Sequence, residues 1–200
     1  MLTDALQMIR PSRDVRELAV LTEIGRAGIV SQRRLARAAS VSATMVNAYV
    51  DDLVCRGFLE VTGETNRTYR YHLTGAGAER RDALFAEMSC EVVQLYSRLE
   101  DSVEARLTGL YEAGLRSVVL YGGGDSSDLA VRVARRSGLE VRAVVDAEPA
   151  WLGRVREGLR VCDPCVIEAA GPDAVVTAPG ALPGHGLQAW ERAGGRVERL

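Results

Sequence analysis

From Asp14 to Ala27 apolar residues return every three or four positions, at Val15, Leu18, Ala19, Leu21 and Ile24, the period of a helix with one buried face. Gly28 breaks the pattern. Ser31 has the side chain of an N-cap, and Gln32 to Ala39 reads as a short helix with Leu35 and Ala36 inward. Ser40-Val41 makes a tight corner and Ser42 is a second N-cap. A third helix follows from Ala43 to Arg56, with Val46, Val50, Leu53 and Val54 on one face and Gly57 as its C′ residue. Two short helices with so brief a join have helix-turn-helix geometry.

After Gly57 the period changes to two. Phe58 to Thr62 reads as a strand, Gly63 to Asn66 as a turn, and Arg67 to Leu73 alternates, with Tyr69, Tyr71 and Leu73 on one side. Helix, turn, helix and hairpin is the winged-helix order. From Glu79 to about Ala113 the helical period returns, with Leu84, Met88, Val92, Leu95, Leu99, Val103, Leu107 and Leu110 forming one stripe. A stripe this long needs a partner. A second copy of the chain would provide one, and so would the flanking domains of the same chain.

Beyond it, Ser117 to Tyr121 is a short buried strand, Gly122-Gly123-Gly124 a glycine loop and Leu129 to Ser137 a helix closed by Gly138. Val141 to Val145 is a second strand, Ala174 to Ala178 a third, Gly184 to Ala193 a helix and Arg196 to Leu200 a last strand. Trp151 to Gly153 reads as a loop folding over the strand ends. Strand, glycine loop, helix and strand make a right-handed βαβ unit. The expected architecture is therefore an α+β winged helix-turn-helix domain over residues 1–75 and a long connecting helix over 76–115. A small α/β Rossmann-like domain with a parallel sheet follows over 116–200.

The candidate chemistry divides along the same lines. A recognition helix presents its N-terminal residues to base edges, here Ser42, Ala43, Thr44, Met45, Asn47 and Ala48. Asn47 can pair with adenine, and Met45 or Ala48 can touch a thymine methyl. Arg33 and Arg34 face phosphates or solvent, and the wing brings Arg67 and Arg70 toward phosphate or the minor groove. In the C-terminal domain Gly122 and Gly124 take the first two places of a G-x-G-x-x-G loop, with Ser127 in the third. Main-chain N–H groups there, with Ser126 and Ser127, can hold an anion at a helix N-terminus. Asp146 lies where a ribose-binding acid would, and Thr177 ends a neighbouring strand. The expected ligand is a nucleotide, NAD(H) or a nucleotide-sugar.

Composition adjusts this picture only slightly. The 200 residues carry a net charge of -2. Residues 1–75 hold 10 Arg against 8 acids, and the remainder holds 15 against 19, so a DNA footprint is local to the N-terminal part. All basic residues are Arg, whose planar fork suits phosphates and guanine edges. MLTDALQMIR lacks the long apolar core of a leader, and no stretch approaches a membrane span, which points to a soluble cytoplasmic protein. The 4 Cys fit reduced thiols. In Cys162-Asp163-Pro164-Cys165 the middle pair is explained by an N-cap and a first-turn proline. A zinc site would need two further ligands.

LARAASVSATMVNAYVDDLVCRGFLEV followed by TYRYHLTGAG resembles the winged helix of MarR-type regulators. In those a Leu-Thr pair closes the wing and opens the next helix, as Leu73-Thr74 do here. Ala48 stands where a basic residue is common. RSVVLYGGGDSSDLAVRVARRSGLEVRAVVD resembles the nucleotide-binding Rossmann segment of sugar-nucleotide enzymes and acyltransferases. The combination is similar to bacterial winged-helix regulators with a C-terminal Rossmann-like domain, and its order of parts to the NADH-binding Rex-type repressors. The resemblance implies a dimeric regulator that binds double-stranded DNA, with a nucleotide-sensing domain. Two alternatives stay open: the Rossmann-like domain is only a dimerisation or docking module, or it is a sugar-nucleotide enzyme with an N-terminal recruitment domain. No nucleophile with a base and no Tyr-x-x-x-Lys pair accompanies the glycine loop, so binding rather than catalysis is expected.

Overall fold

A computed structural model of the chain describes residues 12–27, 30–63, 69–182 and 184–200, the side chains of Ala27, Ala43 and His185 apart. Gly28, the turn residues 64–66, Arg67 and Thr68 lie outside the described residues. The chain divides into two compact units, residues 1–93 and 94–200.

In the first unit three helices, α1 (Arg13–Ala27), α2 (Gln32–Ala38) and α3 (Ala43–Cys55), precede an antiparallel hairpin of β1 (Leu59–Thr62) and β2 (Arg70–Leu73). The caps follow from residue chemistry. The Ser31 hydroxyl accepts the Arg34 N–H at 3.3 Å, and the Ser42 hydroxyl accepts the Met45 N–H at 3.2 Å. Gly57, at φ +74°, closes α3, with the Phe58 N–H reaching the Leu53 carbonyl at 2.9 Å. Leu18, Leu21, Leu35, Val46, Leu53 and Leu59 form a dry core under the corner.

A buried acid ties this core's edge together. Glu17 is 2% exposed, and its carboxylate takes Arg56 in a two-pronged pair at 2.7 and 3.1 Å and Arg80 at 2.8 Å. Arg80 belongs to α4, which runs from Gly75 to Glu112. This helix begins within a residue of the expected 76, directly after the Leu73-Thr74 pair, and Thr74 caps it. The Thr74 hydroxyl accepts the Gly77 N–H at 3.0 Å and donates to the Gly57 carbonyl at 2.8 Å. The α4 stripe divides into three parts. Leu84 joins the first unit's core and Val103 and Leu107 the second's, while Val92, Leu95 and Leu99 remain exposed. The flanking units therefore account for the ends of the stripe and not for its middle.

The second unit is α/β. Its strands are β3 (Ser117–Tyr121), β4 (Glu140–Val145), β5 (Val155–Arg156), β6 (Leu159–Cys162), β7 (Ala174–Thr177) and β8 (Val197–Arg199). They form one sheet in the order β5-β6-β4-β3-β7-β8, parallel except for the β5–β6 hairpin. The chain winds outward from β3 through β4 to β6, then returns to the other side for β7 and β8, so β3 and β7 flank a topological switch point. α5 (Ser126–Arg136) and the end of α4 cover one face; α6 (Ile167–Ala170) and α7 (His185–Arg192) cover the other. Alternate residues serve each face: Val118 and Leu120 point one way, Val119 and Tyr121 the other.

The β5–β6 hairpin follows the turn at residues 151–153 and is an element for which the sequence reading offers no strand. Glu157 and Gly158, at φ +45° and +82°, form its two-residue turn. Among the described residues no helix is long and apolar enough to cross a membrane.

Candidate nucleic-acid interface and ligand crevice

α3 is amphipathic in the sense a reader helix requires. Val46, Val50 and Leu53 are buried, while Ser42, Thr44, Met45, Asn47 and Ala48 are exposed. Ala43 opens the helix beside them. The Ser40 backbone takes φ +51°, unusual without glycine, and this left-handed residue turns the chain sharply between α2 and α3.

The arginines differ in what they touch. Arg34 Nε donates to the buried carboxylate of Glu23, so this guanidinium serves the fold as well as any outer partner. Arg33 and Arg37, one helical turn apart on α2, are exposed, as is Arg70 on β2. Arg13 is paired with Asp52 of α3 at 3.1 Å, which neutralises an acid on the helix that exposes Met45 and Ala48. Sequence reasoning could not separate Arg33 from Arg34, because helix rotation, not residue type, decides which one meets Glu23.

The second site is a crevice of about 480 Å³ at the carboxyl ends of β3 and β7, within the usual size of small-molecule sites. Gly122, Gly124, Ser126 and Asp146 line it, with Tyr121 and Trp151. Ser127 and Thr177 do not. The Ser127 hydroxyl is buried and donates to the Gly124 carbonyl, and the Thr177 hydroxyl turns to the Glu198 carbonyl at 3.5 Å. Asp146 organises the loop: Oδ2 accepts the Gly123 N–H at 2.6 Å and Oδ1 the Glu148 N–H at 2.8 Å.

The three glycines have three different reasons. Gly122 sits at φ +126°, and a Cβ there would meet the Ala181 Cβ at 2.8 Å. A Cβ at Gly123 would lie 2.6 Å from the Trp151 Cβ. Gly123→Ala is therefore expected to cost about 1–3 kcal/mol through overpacking, seen as a lowered urea midpoint. At Gly124 a Cβ would meet nothing within 4 Å. The protein's own packing does not demand glycine there, in the place where a ligand would approach the backbone.

Arg156, on the unanticipated hairpin, is 11% exposed and binds the Gly123 carbonyl at 2.8 Å, Asp128 at 3.0 Å and Asp125 at 3.1 Å. It neutralises the two acids that the sequence places beside the glycine loop. Its guanidinium also lies 5.5 Å from the Trp151 ring centroid. The Tyr121 hydroxyl, at the base of the crevice, accepts the Gly184 N–H at 3.0 Å, and burial pushes its phenol above the ordinary range. Ser126 donates to the Pro179 carbonyl at 2.6 Å, joining the start of α5 to the segment after β7.

In Cys162-Asp163-Pro164-Cys165, Asp163 accepts the Cys165 N–H at 2.9 Å, the expected cap. A hydrogen bond to Asp163 also raises the Cys165 thiol above its ordinary value, the opposite of what a reactive thiolate needs.

The first unit thus has a helix-turn-helix with a two-stranded wing, and the second an α/β sheet with a crevice at its switch point. No protein-family model matches the chain, and no curated protein matches it significantly. Solved structures with partial likeness include a probable transcriptional regulator from Pseudomonas aeruginosa, 22% identical with a TM-score of 0.37 over 42% of this chain. The chain spans 64% of the length of that protein. Another is Sso10a-2, a DNA-binding protein from Sulfolobus solfataricus, 20% identical with a TM-score of 0.40 over 47% of this chain and 95% of its own. A third is the MarR family transcriptional regulator SPO1453 from Silicibacter pomeroyi, 23% identical with a TM-score of 0.37 over 49% of this chain and 71% of its own.

Proposed function

We propose that the chain is a dimeric, sequence-specific DNA-binding transcriptional regulator whose second unit is Rossmann-like and senses a nucleotide or nucleotide-sugar. The observation that carries the DNA reading is α3, anchored by Val46, Val50 and Leu53, with Thr44, Met45, Asn47 and Ala48 turned outward beyond the Ser42 cap. In the major groove Asn47 reads adenine, and Met45 and Ala48 meet thymine methyls. Arg33 and Arg70, with Arg67, neutralise phosphates, and Arg34 contributes from its ion pair with Glu23.

Fluorescence anisotropy on an operator and a random duplex tests these roles. Asn47→Ala lowers operator affinity about tenfold and leaves random-duplex affinity nearly unchanged. Arg67→Ala weakens both to a similar extent and reduces the salt slope by about one. Equal losses on both duplexes for Asn47→Ala would count against direct readout.

The crevice supports nucleotide binding through the open approach at Gly124 beside the N-terminus of α5. A second reading, a docking module without ligand, is favoured by Asp146, whose two oxygens already accept main-chain N–H groups. Thermal shift with NAD(H), ADP, CoA and UDP-sugars separates them. A ligand at a hundredfold excess over Kd stabilises by about 2.7 kcal/mol, and a docking module shows no shift.

A further inference from the structure

The middle of the α4 stripe is open. Phe85, Val92, Leu95 and Leu99 are between 39% and 64% exposed, and Met88 is half-buried. Met88, Val92, Leu95 and Leu99 follow one another at steps of four, three and four residues, the seven-residue repeat that keeps a seam along one side of a helix. We propose that α4 of a second copy closes this seam, running antiparallel, in the register that sets Val92 against the second copy's Leu95. The inference rests on the dimeric reading above and adds its direction and register.

The apolar layers alone do not choose a direction. In the antiparallel register Val92 meets Leu95, and the same two-fold axis sets Met88 opposite Leu99. A parallel pair would stack each of these residues on its own copy and be equally apolar. The flanking charges decide. Glu91 and Arg98 immediately precede Val92 and Leu99, so both lie on the same edge of the seam.

Antiparallel helices bring this edge of one copy along the same edge of the other. Glu91 then faces the second copy's Arg98, and Arg98 its Glu91, giving two ion pairs by symmetry. Parallel helices bring the edge against the opposite one, where Glu91 would fall near Tyr96 and Arg98 near Val103, with no opposite charge. Both charges are exposed, and neither pairs with another described residue of its own chain. Glu100 and Glu104, by contrast, are already paired with Arg136 at 3.0 and 2.8 Å.

Sedimentation equilibrium on the full chain tests the pairing. Arg98→Glu replaces two attractions with two repulsions and raises the dimer dissociation constant about tenfold. Glu91→Arg does the same alone, and combining it with Arg98→Glu restores the wild-type constant to within about twofold, since the pairs re-form with reversed sign. A second measurement uses chains whose Cys55, Cys90, Cys162 and Cys165 are replaced by Ser. Val92→Cys and Leu95→Cys proteins form an interchain disulfide on oxidation when mixed, and neither does so alone. Self-linking of the Val92→Cys protein, or a charge swap that restores nothing, overturns the antiparallel register while leaving a dimer in place. A chain that sediments as a monomer at every concentration removes the dimer and this pairing together.

Discussion

Replacing Glu17 by alanine should lower the stability of the first unit by about 3 kcal/mol, measured by urea unfolding followed by circular dichroism. The side chain is 3% exposed and holds Arg56 and Arg80, each about one-third exposed. Removing one partner of a buried pair leaves the other charges uncompensated, which typically costs about 3–5 kcal/mol. The partial access of both arginines to water puts this site at the low end.

The same group sets an acid limit on stability. Burial acts to raise the Glu17 pKa, but hydrogen bonds and charge from Arg56 and Arg80 outweigh it and hold the carboxyl below its ordinary value of 4.5. A carboxyl depressed in the folded state contributes stability that is fully present above the unfolded pKa. That stability is lost as pH falls through the folded value. Wild type and Glu17→Gln should therefore differ most near neutrality and converge on acidification below about pH 4. A constant difference between them down to pH 3 would show that Glu17 titrates no differently in the folded protein.

Under the proposed nucleotide-sensing role, Gly124→Val should abolish the nucleotide response while leaving the unfolding midpoint of the second unit nearly unchanged. The backbone at Gly124 needs no positive φ, and a Cβ meets nothing within 4 Å, so the fold has room for a β-carbon there. A ligand held by the main-chain N–H groups at the start of α5 leaves no such room, because it must approach that backbone closely. The expected loss in affinity is more than a hundredfold, read by titration calorimetry with whichever nucleotide shifts the wild-type melting temperature. Gly123→Ala is the control with the opposite signature, since its methyl collides with Trp151 and not with the crevice contents. Undiminished binding by Gly124→Val would place the ligand elsewhere.

How much of this was legible in the sequence depends on whether a feature is local. Ser31, Ser42 and Gly57 cap helices through atoms a few residues away, and the residue types alone predict them. The start of α4 is legible to within a residue from Leu73-Thr74, but the anchor of Thr74 is not, because its hydroxyl donates to a carbonyl 17 residues back, at Gly57. The β5–β6 hairpin escaped notice because its strands are 2 and 4 residues long. Its turn also uses Glu157 at positive φ, where asparagine or aspartate is the usual signal. With that hairpin went Arg156, the cation that neutralises Asp125 and Asp128.

Side-chain direction is the other loss. Ser126 and Ser127 look equivalent in sequence, yet Ser126 lines the crevice and Ser127 is buried beneath the glycine loop. Thr177 ends a strand beside the crevice, but its hydroxyl is turned to β8.

The decisive experiment on the proposed regulator is selection of bound duplexes from a random pool, repeated with and without nucleotides. The proposed dimeric regulator should enrich an inverted repeat whose half-sites contain adenine and thymine steps for Asn47, Met45 and Ala48, and at least one nucleotide should change retention of that duplex. A pool that remains random in sequence after repeated rounds would contradict the proposal.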